Sequence, residues 1–209
     1  MKKLLKLLII TLILVTFMSD GITKVSASNP QSEIVIDVAS GRILHAKNEN
    51  EKMPIASLTK ILTCITAIKN CESEKEILIK KEWTNIEGSS IYLKEGEIYS
   101  LKELLYGLML RSGNDCAVSI ASAYEKGYDE FIKLMNLTAY SFGAENSSFV
   151  NPHGLDNAAH YSTAYDLALI TKAALSDDFF SEIVSSKSAT IGRDDYRRTI
   201  YNKNKILKN

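Results

Sequence analysis

The hydrophobic pattern that begins near residue 34 has the short period of a β-strand. Residues 34–38 are mostly β-branched, residues 39–41 form an Ala-Ser-Gly turn signal, and residues 42–47 form a second short run. Two such runs on either side of a turn predict a β-hairpin. A polar loop follows, and its Met53-Pro54 pair marks a break before the next element.

Apolar residues in the middle of the chain recur every three or four positions, which is the helical period. The recurrence starts at Ser57 and continues to about Asn70, so it predicts a helix there. Ser100 and Glu103 have the spacing of a capping box, and they predict a second helix that ends near Arg111. The same reasoning predicts three further helices, over residues 117–124, 128–142 and 163–175.

Two other segments lack a clear period. Residues 88–96 contain small and turn-forming residues and predict an irregular or hairpin-like stretch. Residues 188–209 are polar and irregular, with weak strand character only at residues 189–191. Strands at the start and helices in the middle together predict a mixed chain of the α/β (α+β) class.

The first 27 residues have the three parts of a secretory signal. Residues 1–3 are a basic head, residues 4–17 are apolar except for Lys6, and residues 25–27 offer small side chains at a cleavage site. This pattern predicts a signal peptide over residues 1–27 and an exported domain over residues 28–209. The alternative is an uncleaved membrane anchor, although the apolar run is short for a transmembrane span.

The charge balance argues against one class of partner. The chain has 25 basic and 25 acidic residues, and removal of the signal, which carries four lysines and Asp20, leaves a net charge of −3. A chain without excess positive charge has no electrostatic basis for binding nucleic acid.

Cysteine and histidine provide no framework for disulfides or metals. The three residues of each type are Cys64, Cys71, Cys116, His45, His153 and His160. The cysteines are odd in number and irregularly spaced, and the histidines do not have the spacing of metal ligands. Cys64 and Cys116 fall on apolar helix faces, so we expect them to be buried thiols.

Ser57 and Lys60 are the first pair of residues that could carry chemistry. They are three residues apart at the start of a predicted helix, so their side chains should share one face. A buried lysine with a lowered pKa can remove the proton of a serine hydroxyl, and the helix N-terminus offers N–H groups to a developing oxyanion. Taken alone, this spacing is explained better by an ordinary helix cap.

Ser112, Gly113 and Asn114 form the second group, at a break between two predicted helices. A hydroxyl and an amide two residues apart can relay a proton and bind a substrate carbonyl. Alone, these residues would be an ordinary turn. One S-x-x-K followed by one S-x-N, each at a helix boundary in an exported chain, is the pattern of serine enzymes that recognise penicillin.

Longer segments around both motifs resemble the low-molecular-mass penicillin-binding proteins, which are D-alanyl-D-alanine carboxypeptidases. The resembling segments are MPIASLTK (53–60), GSSIYL (88–93), LLYGLMLRSGND (104–115), FVNPHGLD (149–156) and HYSTAYD (160–166). The resemblance extends over roughly residues 34–207. It implies a β-lactamase/transpeptidase-like fold with a helical subdomain and an incomplete antiparallel sheet.

The resemblance also implies roles for individual residues. Ser57 would attack the carbonyl between the two terminal D-alanines of a peptidoglycan stem peptide, and Lys60 would take its proton. Ser112 would help pass a proton to the leaving D-alanine, and Asn114 would hold the substrate backbone. β-Lactams would imitate the D-alanyl-D-alanine end and inhibit by acylating Ser57.

Further expectations follow from the same resemblance. No metal or organic cofactor is implied. The expected location is the cell wall or the outer face of the cytoplasmic membrane, with association at the membrane surface as an option. Asn151, His153, Asp156 and Tyr161 match family positions and are interpreted as structural residues of a loop and a helix start. Carboxypeptidase, endopeptidase and transpeptidase outcomes stay open.

The third motif of the family, K-T-G, does not occur in the 209 residues. In relatives it lines the cleft, binds the terminal carboxylate of the substrate and supplies an oxyanion donor, shortly after a stretch that resembles residues 201–207. We therefore expect a truncated chain with impaired activity and with exposed apolar faces on the hairpin and the nucleophile helix.

Two alternative functions remain at this point. One is a non-catalytic, cell-wall-associated remnant that binds peptidoglycan without cleaving it. The other is a relative of the class A β-lactamases, which share the first two motifs. Gly113, where those enzymes prefer aspartate, and the lack of a glutamate in the right loop context count against the β-lactamase.

Overall fold

The computed structural model describes residues 30–208, so the predicted signal peptide at residues 1–27 lies outside the described residues. The helices in this range are α1 (Thr59–Asn70), α2 (Leu101–Arg111), α3 (Asn114–Ser122), α4 (Tyr128–Ser141), α5 (Ala164–Leu175) and α6 (Asp178–Ser185). The strands are β1 (Glu33–Ile36), β2 (Ile43–Lys47), β3 (Glu76–Leu78), β4 (Ile98–Ser100), β5 (Ser188–Ile191) and β6 (Arg198–Tyr201).

The predicted N-terminal hairpin is present. Strands β1 and β2 pair in antiparallel fashion from Glu33 opposite Lys47 to Ile36 opposite Ile43, with an irregularity after Val35. Helix α5 packs against β1. Val35 and Leu44 are about half exposed, at 50% and 55%, so the hairpin presents apolar side chains to solvent. Within residues 30–208, the strands form three separate two-stranded antiparallel sheets.

Helix α1 is the centre of the hydrophobic core, because it contacts all five of the other described helices. Its apolar positions predicted a helix, and Leu62, Cys64 and Ile65 are fully buried. Burial of an aliphatic side chain of this size is worth roughly 1.5–3 kcal/mol. The packing therefore fixes the direction of α1, and with it the position of the residues at its N-terminus.

The break between α2 and α3 is short. Helix α2 begins with the predicted capping box, in which Ser100 Oγ accepts a hydrogen bond from Glu103 N and Glu103 Oε2 accepts one from Ser100 N. It ends at Arg111, and Ser112 takes a left-handed conformation with φ of 60°. Helix α3 starts two residues later at Asn114. The end of one helix and the start of the next thus meet at the second motif.

The structure adds elements that the hydrophobic pattern did not predict. Helix α6 is present, β3 pairs with β4, and the tail expected to be irregular contains the β5–β6 hairpin. In this hairpin Ile191 and Ile200 are buried, and both strands pack on α2. Residues 88–96 are irregular, in agreement with the prediction.

Cys64 and Cys116 are completely buried, as predicted, and all three thiols are free. No helix within residues 30–208 is long and apolar enough to cross a bilayer.

Candidate active site

Ser57 lies in the 3-10 turn Ala56–Leu58, which leads directly into α1. The residue before it, Ala56, has a φ of 45°, which is in the left-handed region that residues other than glycine rarely adopt. A non-glycine residue in this region costs on the order of 1–3 kcal/mol and persists only where its surroundings hold it. The nucleophile candidate therefore follows a strained residue at the entrance to the central helix.

The predicted contact between Ser57 and Lys60 is present. Lys60 Nζ lies 3.0 Å from Ser57 Oγ and donates a second hydrogen bond to the carbonyl oxygen of His153 at 2.7 Å. Lys60 is only 2% exposed. Burial is the main reason that the pKa of Lys60 falls to about 8; Cys116 and Asp115 oppose the fall, and the charge of Lys203 adds to it. About one in ten of these amines is therefore neutral at pH 7 and can accept the serine proton.

The second motif contributes Asn114 to the site. Asn114 is 4% exposed, its backbone N–H donates to Ser89 O, and its Nδ2 donates to Glu87 O. Its Oδ1 is buried and has no hydrogen-bond partner among the described residues. A buried acceptor without a partner is costly, so this oxygen is available for a donor from a ligand.

Ser112 differs from the other three predicted site residues. It caps the C-terminus of α2, and its backbone N–H donates to Gly107 O. Within the part of the chain that the structure describes, its hydroxyl makes no hydrogen bond to Ser57 or Lys60. The loop places Ser112 two residues from Asn114, but within residues 30–208 no hydrogen bond joins its side chain to the nucleophile.

The segment at residues 87–93 forms one wall of the site, and α3 holds it in place. The buried carboxylate of Asp115 accepts hydrogen bonds from Ser90 Oγ at 2.6 Å and from the backbone N–H groups of Ile91 and Leu93. Gly88 has a φ of +90°, and a Cβ there would lie 2.8 Å from Asn114 Nδ2. A glycine at this position thus permits the close approach of the wall to the asparagine.

The loop at residues 151–156 forms the opposite wall. Asn151 Oδ1 accepts a hydrogen bond from Gly154 N, and Thr63 Oγ1 on α1 donates to Pro152 O. At Gly154, where φ is +88°, a Cβ would lie 1.9 Å from Ala56 O, so only glycine fits. Asn151 is structural, as interpreted from the sequence. His153 does more than that interpretation allowed, because its carbonyl holds the Lys60 amine.

A cavity of about 390 Å³ lies between these walls, and residues 56–57, 87–89, 114 and 153–156 line it. Ser57 and Asn114 both face this space, and Lys60 lies beneath Ser57. A second cavity of about 410 Å³ lies between the N-terminal hairpin and α5; its lining is mostly apolar and includes Ile34 and Leu167. Because Ser57, whose hydroxyl is hydrogen-bonded to the buried Lys60 amine, lines the first cavity, we place the chemistry there.

The pKa values of His153 and His160 are both lowered from the ordinary value of histidine. Burial, then the charge of Lys60 and then His160, lower the pKa of His153 to about 4. Burial also lowers the pKa of His160, with Asp156 acting in the opposite direction. Among the described residues, Lys60 is the group that is hydrogen-bonded to the Ser57 hydroxyl, so a lysine and not a histidine is positioned as its base. No cluster of His, Cys, Asp or Glu in residues 30–208 could hold a metal ion.

Comparisons with known proteins agree on one family. A family model described as D-alanyl-D-alanine carboxypeptidase matches residues 21–209. The chain is 31% identical to D-alanyl-D-alanine carboxypeptidase DacF of Bacillus subtilis, over 100% of this chain and 57% of the relative. It is 32% identical to DacB2 of Mycobacterium tuberculosis, over 85% and 61%. The chain thus spans less than two thirds of the length of these curated relatives.

Solved structures show the same similarity in three dimensions. A crystal structure of the D-alanyl-D-alanine carboxypeptidase from Mycobacterium tuberculosis H37Rv matches with a TM-score of 0.81 and 31% identity, covering 88% of this chain and 72% of that one. A mutant of the Streptomyces K15 DD-transpeptidase matches with a TM-score of 0.78 and 28% identity, covering 85% and 75%.

Proposed function

Because the chain belongs to the D-alanyl-D-alanine carboxypeptidase family and has the mixed α/β fold of its solved members, we propose that it is a serine-type D-alanyl-D-alanine carboxypeptidase. Its substrate is the peptidoglycan stem peptide that ends in D-alanyl-D-alanine, and its product is that peptide without the last residue. The observation that carries the proposal is the buried Lys60 amine, 3.0 Å from the Ser57 hydroxyl below the cavity.

Acylation is the first step of the proposed reaction. Neutral Lys60 takes the proton of Ser57 Oγ as that oxygen bonds to the carbonyl carbon between the two D-alanines. The C–N bond then breaks, the leaving D-alanine amine takes up a proton, and the rest of the peptide stays on Ser57 as an ester. We assign the delivery of this proton to Ser112. Its hydroxyl makes no hydrogen bond to Ser57 or Lys60 among the described residues, so the assignment requires the bound substrate to bring the leaving amine to Ser112.

Asn114 orients the substrate in this proposal. Its Nδ2 is committed to Glu87 O, and that bond also fixes the orientation of the amide group. The buried Oδ1, which has no partner among the described residues, is therefore the atom that we assign to accept a hydrogen bond from a backbone N–H of the stem peptide once the substrate is bound. This assignment is narrower than the one made from the sequence, in which Asn114 bound both an amide and a carbonyl.

Water completes the cycle. It attacks the ester carbon, the C–O bond to Ser57 breaks, and Ser57 regains its proton while the shortened peptide leaves with a new carboxylate. A β-lactam acylates Ser57 by the same attack, but its amide nitrogen stays tethered after the ring opens. No step uses a metal or an organic cofactor. The substrate and the predicted signal peptide both imply a site of action outside the cytoplasm, at the cell wall or the outer face of the cytoplasmic membrane.

Labelling by a fluorescent penicillin tests the proposal. We expect covalent label on the 209-residue chain and on a Ser40→Ala control, in which an exposed serine is changed. The Ser57→Ala variant should take none. A Lys60→Met variant should be labelled at least about a hundredfold more slowly, since a positioned base contributes on that order.

The labelling rate of the parent chain also tests the impairment predicted from the absence of K-T-G, which stays a prediction: slow labelling that depends on Ser57 would support it, and rapid labelling would contradict it. Label on Ser57→Ala would contradict the assignment of the nucleophile. A folded parent chain that takes no label would contradict the activity proposed here and would support the non-catalytic alternative.

A further inference from the structure

The carbonyl oxygen of Ala56 is held by a side chain from within the nucleophile motif itself. Thr59 lies between Ser57 and Lys60 in sequence and is completely buried. Its Oγ1 donates a hydrogen bond to Ala56 O at 2.8 Å. Because Ala56 is in the left-handed conformation, this bond acts on the strained residue that immediately precedes the nucleophile.

Thr59 is held in turn by a histidine 101 residues away in sequence. His160 Nε2 lies 2.7 Å from Thr59 Oγ1, and the ring packs edge-on against Phe149. Since the only proton of the threonine hydroxyl goes to Ala56 O, the hydroxyl accepts a hydrogen bond from His160 Nε2. His160 is 4% exposed.

The other ring nitrogen of His160 fixes the tautomer. His160 Nδ1 accepts a hydrogen bond from Val150 N at 3.2 Å, so it carries no proton. Only the neutral ring with its proton on Nε2 satisfies both contacts. A directed chain of hydrogen bonds therefore runs from Val150 N–H through His160 and Thr59 to the carbonyl next to Ser57.

We propose that His160 is a positioning residue that acts through Thr59 to hold the Ala56–Ser57 turn in the geometry for attack. The inference rests on the function proposed for Ser57. Without the Thr59 hydroxyl, Ala56 O keeps the backbone N–H of Thr59 as a donor but loses the side-chain bond. Ala56 can then relax from its left-handed conformation, and the Ser57 hydroxyl moves relative to the Lys60 amine. A displacement of about 1 Å at a reacting group can cost on the order of a hundredfold in rate.

Two pairs of variants in the full chain separate this role from simple core packing. Thr59→Val is isosteric but has no hydroxyl, whereas Thr59→Ser keeps it. His160→Leu has no ring nitrogens, whereas His160→Gln keeps an N–H donor that can reach Thr59. The rate of Ser57 acylation by the fluorescent penicillin is measured for each variant, together with its urea unfolding midpoint.

We expect folded Thr59→Val and His160→Leu to be acylated roughly 10- to 100-fold more slowly, and Thr59→Ser and His160→Gln to stay within about threefold of the parent. The Thr59→Val/His160→Leu double variant should lose no more than the worse single variant, because the two residues act in series. Parent-like acylation of folded Thr59→Val, or equal losses in all four variants, would overturn the proposal.

A second measurement keeps this proposal distinct from the function of the chain. Backbone amide resonances of Ala56 and Ser57, read by NMR, should shift in Thr59→Val and His160→Leu and not in the two conservative variants. If the parent takes no label, the proposed function has failed, and the resonances alone decide the positioning role. Unchanged resonances in Thr59→Val would then refute it.

Discussion

The Lys60 amine can act as a base only in molecules in which it has lost its proton. Burial brings its pKa to about 8, and the charge of Lys203 contributes to the fall. Below this pH the amine is an ammonium group that cannot accept the Ser57 proton, and above it the amine is neutral. We therefore expect the acylation rate of Ser57 to rise with pH, to be half-maximal near pH 8, and to level off above it.

Lys203 offers a check on the cause of that pKa. Its Nζ donates to Ser89 Oγ at 3.2 Å, so its charge lies near the cavity wall. Replacement by methionine removes a like charge and should move the half-maximal pH upward, whereas Lys126→Met, at an exposed position, should leave it unchanged. The acylation rate is measured across the pH range for all three proteins. A rate that does not vary with pH between about 7 and 9 would contradict the role of Lys60 as the base.

The spacing of residues in the sequence was enough to place some of these residues at the active site, but not others. Ser57, in the 3-10 turn that leads into α1, and Lys60, in the first turn of α1, are three residues apart, so their contact follows from local helical geometry. The contacts of His153 and Lys203 depend on segments that are distant in sequence and approach Lys60 only after the chain folds. No local period reports such an approach, and so neither residue was placed at the site beforehand.

The capping box of α2 connects two elements. Besides its bond to Ser100 N, the Glu103 carboxylate accepts a hydrogen bond from Gly192 N through Oε1, which ties α2 to the end of β5. We expect Ser100→Ala to lower the free energy of unfolding by about 1 kcal/mol, the usual cost of losing an N-cap. Glu103→Ala should cost more, because it also leaves Gly192 N–H without its acceptor.

Urea unfolding of the two variants measures both effects. Ser73→Ala serves as the control, since its hydroxyl makes only a long 3.5 Å contact, and it should change stability by less than about 0.5 kcal/mol. Equal losses for Ser100→Ala and Glu103→Ala would show that the bond to Gly192 contributes nothing to stability.

The helices and strands that could be predicted are those long enough to repeat the hydrophobic period of a helix or a strand. Apolar residues recur at helical spacing through α1, at Ile61, Leu62, Ile65 and Ile68, and the capping box marks the start of α2. Strands β5 and β6 have four residues each, too few for a period to stand out in a polar tail. Helix α6 was not predicted, although its sequence carries a signal. Asp177 is its N-cap residue, and Phe180 and Ile183 lie on its buried face.

At the scale of the whole molecule, Arg198 on β6 joins the C-terminal hairpin to the segment that leads into the cavity wall. Its Nη1 donates to Ile91 O at 2.7 Å, and its Nη2 donates to Glu97 Oε2 at 3.0 Å and to Tyr99 OH. The Glu97 side chain is only 9% exposed, whereas the Arg198 side chain is 27% exposed, so the carboxylate is the more deeply buried charge. The sequence showed no partner for Arg198, because the two ion-pair residues are 101 positions apart.

Removal of one partner from a buried ion pair costs more than the pair is worth, because the remaining charge stays buried. We therefore expect Arg198→Met, which keeps an apolar stem, to lower the free energy of unfolding by on the order of 3 kcal/mol. Arg193 provides a matched control on the same hairpin. It pairs with Glu76 at 2.6 Å, but both side chains are exposed, at 43% and 61%, so Arg193→Met should cost less than about 1 kcal/mol.

The double variant Arg198→Met/Glu97→Gln distinguishes the buried charge from lost packing. Neutralising the carboxylate removes the charge that Arg198 had compensated, so the double variant should be more stable than Arg198→Met alone. Urea unfolding is measured for both single variants, the double variant and the parent. If Arg198→Met and Arg193→Met cost the same, or if the double variant is no more stable than Arg198→Met, the buried ion pair is not what fastens the hairpin to the body of the molecule.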